Sequence, residues 1–230
     1  MKRTKKIITL AMAAVLLVST TVAVTVAYLQ DATEVVKNTF SVGDVQITLD
    51  EADVNLYGVA NGTVRDKANE YKLIPGHTYV KDPTVHVDST SEDCYLFVEV
   101  VNNLGAAEAE SVNGGYQDIE AQMTANGWVK MATPNTNIWY LATNGIIRKI
   151  DVDGADKSNL NFEVFKEFKV LETAIGGATP ATGAVEGAVY LDDYKTENDA
   201  NKYITIKAYA IQADGFENSD VTDIWAAVTK

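Results

Sequence analysis

Cys94-Tyr95-Leu96-Phe97-Val98-Glu99-Val100-Val101 is apolar at every position except Glu99. A half-buried strand alternates apolar and polar residues, so a run that is apolar at both parities suits a strand covered on both faces. This octet is the expected central strand of a sheet. Working outward, residues 203–213 alternate: Tyr203, Thr205, Lys207 and Tyr209 stand against Ile204, Ile206, Ala208 and Ala210. Residues 38–50 alternate as well, with Phe40 and Val42 before Gly43 and Val45, Ile47 and Leu49 after it. A glycine where the phase changes suggests a bulge.

Residues 80–87 read as a strand interrupted by Pro83. Proline cannot donate to a ladder, so that strand lies at an edge or begins after Pro83. Residues 128–131 and 138–142 read as strands paired across the loop holding Pro134, and 146–152 and 161–171 as two more. Residues 50–69 read as a polar insert with an Asn61-Gly62 turn, and 173–187 as a loop. Two helices are expected, one over 116–126 stopped by Gly127 and one over 219–228 opened by Ser219 or Asp220. Short strands punctuated by loops, with small helical additions, predict an all-β sandwich.

The chain has 230 residues, 47% hydrophobic and 22% charged, with a net charge of −13. Such a composition belongs to a globular domain able to bury a core without metals or cross-links. The excess of acid argues against nucleic-acid or anionic-membrane binding, which draws on clustered Lys and Arg. A single cysteine, Cys94, excludes an intrachain disulfide and a cysteine-built zinc site.

Lys2, Arg3, Lys5 and Lys6 precede an uncharged apolar run over residues 7–26. That is the pattern of a secretory signal peptide. Small residues at −3 and −1 favour cleavage between Ala27 and Tyr28, with Ala23 a poorer choice. An uncleaved membrane anchor is the alternative, since about 20 apolar residues span a bilayer. Cleavage removes four basic residues and takes the net charge from −13 to −17. The expected organisation is a signal peptide over 1–27, an extended segment over 28–38 and one domain over 39–230.

Motifs that carry chemistry are weak. Asp151, Asp153 and Asp156 are spaced as in a calcium loop, but the twelfth position, where an EF-hand needs a bidentate acid, is Phe162. A polar turn between strands is the plainer reading. His77 and His86 form no HExxH helix, and Cys94 follows Glu92 and Asp93, which would oppose a thiolate. No catalytic residue and no other metal ligand is expected, so the chain is not read as an enzyme.

Tyr28-Leu29-Gln30-Asp31, followed by Asn38-Thr39-Phe40-Ser41-Val42-Gly43-Asp44-Val45-Gln46-Ile47-Thr48-Leu49, resembles the start of the TasA/camelysin family of Gram-positive exported proteins. The resemblance is specific over roughly the first 50 residues and looser beyond. It implies processing by a dedicated signal peptidase of the SipW type and a jelly-roll β-sandwich. It also implies a role as subunit of biofilm-matrix fibres built by donor-strand complementation. Tyr28, Leu29, Val35 and Val36 would then fill pockets in a neighbouring copy. The resemblance makes the chain itself, the peptidase and other matrix proteins the expected partners. The alternative is that residues 28–38 pair within their own sheet or stay disordered. High negative charge would oppose assembly, and acid or divalent cations at Asp50, Glu51 and Asp53 would relieve it. Two function classes remain: a secreted fibre subunit, and a monomeric exported adhesin or ligand-binding β-sandwich. Peptidase activity, attached to camelysin-like relatives, has no ligand motif here.

Overall fold

A computed structural model describes residues 44–194 and 203–228, all within the unit Gly43–Lys230. The cleavage bond, the 28–38 segment, Phe40, Val42 and the bulge expected at Gly43 lie outside the described residues. The described chain is all-β, with antiparallel sheets and two short helices. Its strands are β1 (Ile47–Val54), β2 (Ala60–Asp66), β3 (Thr78–Val80), β4 (Thr84–Val87), β5 (Cys94–Asn102) and β6 (Trp128–Lys130). They continue with β7 (Ile138–Thr143), β8 (Ile146–Ile147), β9 (Lys149–Ile150), β10 (Asn161–Glu163), β11 (Glu167–Lys169) and β12 (Ile204–Gln212). The helices are α1 (Ile119–Ala125) and α2 (Val221–Val228). Neither is long and apolar enough to cross a membrane.

One sheet runs β10-β4-β1-β2, a second runs β12-β5-β7-β6 with β8 on β7 and β9 on β5, and β11 pairs with β3. β5 is central, as its composition requires. Cys94, Leu96, Val98 and Val100 point into the main core shared with Val85, Val87 and Phe162 of the four-stranded sheet. Tyr95 and Phe97 point the other way, into a second core closed by Ile224 and Trp225 of α2. The Trp225 ring lies 5.3 Å from Phe97 and edge-on to Tyr209 at 5.2 Å. Burying each such side chain stabilises by about 1.5–3 kcal/mol, which holds so short a helix in place.

α1 is shorter than its sequence pattern because Asp118 caps it, accepting from the Ala121 N–H at 2.8 Å. Gly127, at φ +89, ends it. Of the two alternatives at Pro83, the later start is observed, and β4 is interior, between β10 and β1. The stretch 161–171 divides between two sheets. Val164 and Phe165 are fully buried where the chain crosses from β10 to β11.

The polar insert over 50–69 is instead the second half of a hairpin. β1 runs on to Val54, and the chain reverses over 55–59. The Asn55 side chain accepts from the N–H groups of Tyr57 and Val59 there. Gly58 sits at φ +70 against Tyr79, where a Cβ would come within 2.8 Å of the Tyr79 Cα, so only glycine fits. Asn61-Gly62 lies inside β2 rather than at the turn. β2 is exposed throughout, so it has no apolar face to show as alternation.

Candidate functional site

The second sheet ends on β12 at one side and on the three-residue β6 at the other. The register of β12 with β5 is unbroken over nine pairs, Ile204↔Asn102 to Gln212↔Cys94. Just beyond each end, Asn103 N–H donates to Tyr203 O and Ala213 N–H donates to Asp93 O. In an antiparallel ladder bonded residues alternate, so the odd-numbered residues of β12 bond to β5. Ile204, Ile206, Ala208, Ala210 and Gln212 therefore aim their N–H and C=O groups away from β5. Among the described residues β12 has no second partner strand.

Edges of this length are normally blunted by a bulge, a proline or an inward charge. β12 has none of these. Its one charge, Lys207, is on the outer face. There its ammonium lies 4.8 Å from the Tyr209 ring, and the Tyr209 hydroxyl raises its pKa. The core-facing side chains Ile204, Ile206, Ala208 and Ala210 are only half-buried, and among the described residues no strand covers them from the edge side.

The other sheet overhangs this edge. Ile47 and Leu49 of β1 pack on the same core as Ile204 and Ile206. β2 lies one strand further out than β1, and among the described residues no strand lies beyond β12 to face it. The result is a cleft of about 230 Å³ between Leu49, residues 66–69 and Ile204 to Ile206. Its floor is charged but closed. Lys81 Nζ donates to Glu51 Oε2 at 2.5 Å, and both side chains are buried. Asn69 Nδ2 donates to Glu51 Oε1 at 2.8 Å, while Asn69 Oδ1 accepts from Val54 N–H at 2.9 Å. Tyr71, beside this pair, has its hydroxyl pKa raised by burial and then by the charges of Glu51 and Asp82. Glu51 is thus a buried partner of Lys81 and not a solvated site for divalent screening.

Asp50 faces the other way. Its carboxylate accepts from Arg65 and, at 2.9 Å, from His86 Nε2. Burial pulls its pKa up, but the Arg65 and His86 bonds outweigh this and hold it below the ordinary value. Asp53 accepts from Asn61 Nδ2 at 3.1 Å on the surface.

The remaining sequence-predicted groups are dispersed. Residues 152–158 form a turn between β9 and β10. Asp156 accepts from Arg148 and from the Asp151 N–H, Asp151 accepts from the Ala155 N–H, and Asp153 is exposed. Among the described residues no three His, Cys, Asp or Glu side chains gather as a metal set. His77 Nε2 donates to Tyr57 O at 2.8 Å and steadies the β1–β2 hairpin. Cys94 is buried, and burial, then the charges of Asp93 and Asp156, push its thiol up to about 12. Ala27, Tyr28, Leu29, Val35 and Val36 lie outside the described residues.

The groove was not legible as such in the sequence. The alternation of 203–213 gives a strand but not its position in a sheet, Glu51 reads as a site for screening, and no local pattern pairs it with Lys81. Compared with known proteins, the chain matches no family model, no curated protein and no solved structure.

Proposed function

We propose that this chain is a secreted structural subunit of an extracellular-matrix or cell-surface fibre, assembled head to tail by strand donation. In this reading a signal peptidase cuts between Ala27 and Tyr28. Residues 28–38 of one copy then pair with the open edge of β12 in the next, completing a jelly-roll-like sandwich. The observation that carries it is the nine-residue edge of β12 under the β2 overhang, unpaired among the described residues. At about 3.3 Å per residue such an edge is roughly 30 Å long, and an extended segment of residues 28–38 can cover it. Backbone bonds would supply affinity, and one side chain of each adjacent pair, Tyr28 or Leu29 and Val35 or Val36, would face the core side of the half-buried Ile204, Ile206, Ala208 and Ala210. The resemblance of residues 28–49 to TasA/camelysin proteins supports the same assembly. No catalytic step and no cofactor enters this reading.

Negative-stain microscopy of two purified forms, one beginning at Tyr28 and one at Thr39, tests it. Fibres from the longer form alone support strand donation. Monomers from both, or fibres from both, contradict it.

A further inference from the structure

The opposite side of the two sheets carries an opening of different chemistry. The end of α1, β7, the connection from β8 to β9, the turn after β9 and β10 enclose a polar cleft of about 280 Å³. Leu141 and Phe162 supply one short apolar wall, and the rim is made of exposed amides and a hydroxyl.

The polar groups are held in fixed planes by bonds that use only part of their capacity. Arg148 is bonded to Asp156, with its guanidinium carbon 5.7 Å from the Phe162 ring centre. The Asn161 side-chain amide meets His86 Nδ1 at 2.6 Å, which holds its plane and leaves its other end for a ligand. Asn126 Nδ2 donates to Glu163 Oε1 and to Val164 O, both at 3.3 Å, leaving Asn126 Oδ1 and Glu163 Oε2 as acceptors. Asn159 Oδ1 accepts from Asn161 N–H at 3.2 Å, leaving its amide nitrogen, and the Ser158 hydroxyl makes no bond among the described residues. Donors and acceptors therefore share one rim.

This lining excludes most ligand classes. The single cation, Arg148, is neutralised by Asp156, and no lysine lines the cleft, so a phosphate or carboxylate finds no counter-charge. The apolar wall is too small for a lipid or a large aromatic ligand. A neutral polyhydroxylated molecule fits: each hydroxyl both donates and accepts, and vicinal pairs match planar amide and carboxylate edges. We propose that this cleft binds a neutral saccharide unit, free or at the end of a glycan. The site is on the β10–β7 side, away from the β12 edge, and does not depend on strand donation.

The purified protein would be applied to an array of neutral hexose and N-acetylhexosamine oligomers beside sialylated and sulfated glycans, and titrated calorimetrically with the hits. The expected result is retention of neutral glycans. Affinity should fall about tenfold in Asn159→Ala, the loss of roughly one good hydrogen bond. Binding should vanish in Ser158→Trp, where the indole fills the cleft from an exposed turn. Thermal unfolding checks that both variants keep the fold. Retention of charged glycans alone, no retention of neutral glycans at millimolar concentration, or binding that both folded variants leave unchanged would overturn the assignment.

Discussion

Ala208→Pro separates the fold of β12 from its open edge. Ala208 is the middle of the five outward-facing positions, so its N–H bonds to nothing in the β5 ladder. Proline at an edge, with its missing N–H toward solvent, is tolerated in sheets. The variant should fold, with Tyr209 and Lys207 still bonded to Phe97 and Glu99. An added strand meets a different surface. The ring occupies the place of the central donor and holds the incoming backbone off, so the two bonds centred on Ala208 fail, at about 1 kcal/mol each. The incoming carbonyl is left buried without a donor, which costs about 1–3 kcal/mol more. The total of about 3–5 kcal/mol raises the critical concentration for assembly between roughly 100-fold and a few thousand-fold. Sedimentation of the form beginning at Tyr28, with circular dichroism to confirm folding, measures this. Tyr209→Pro, which removes a β5 ladder donor, is the contrast and should lose the fold itself. A folded Ala208→Pro protein that forms fibres at the wild-type critical concentration would refute the assignment of β12 as acceptor.

Three further outcomes follow from the same geometry. Lys81→Met strands a buried Glu51 carboxylate and should cost about 3–5 kcal/mol in urea unfolding, whereas Glu51→Leu combined with Lys81→Met should recover much of that loss. Asp50 has a folded pKa below its unfolded value near 4, so its contribution is present above that value and lost as pH falls through the folded pKa. Asp50→Asn should therefore flatten the fall of Tm with acidification below about pH 4, and an unchanged slope would contradict the pairing with Arg65 and His86. Cys94, with its thiol pushed up to about 12 and its side chain buried, should react with a thiol reagent only as fast as the protein opens, a rate that urea should accelerate.

The elements legible in the sequence are those whose burial is one-sided or complete. The 94–101 octet reads as a central strand because both its faces are covered, one by the main core and one by α2. α2 reads as a helix because Val221, Ile224, Trp225 and Val228 fall on one face, which packs on the second core. β2 does not read as a strand. It overhangs the second sheet and buries no side chain, so its residues carry no periodic signal, and Asn61-Gly62 within it imitates a turn. The Glu51–Lys81 pair is invisible for a related reason. Its partners are 30 residues apart, and the fold desolvates them by bringing Asn69 and Tyr71 over them. The saccharide cleft gathers residues 126, 148 and 158–163 from the two sheets and α1, a proximity that no local pattern encodes.

Amide hydrogen exchange along β12, read residue by residue in the unassembled and assembled protein, tests strand donation most directly. In the form beginning at Thr39, Thr205, Lys207, Tyr209 and Ile211 should be protected, while Ile204, Ile206, Ala208, Ala210 and Gln212 exchange quickly. In assembled protein beginning at Tyr28, the second set should become as slow as the first. If those five amides stay fast in the assembled protein, the copies are joined elsewhere and β12 is not the acceptor.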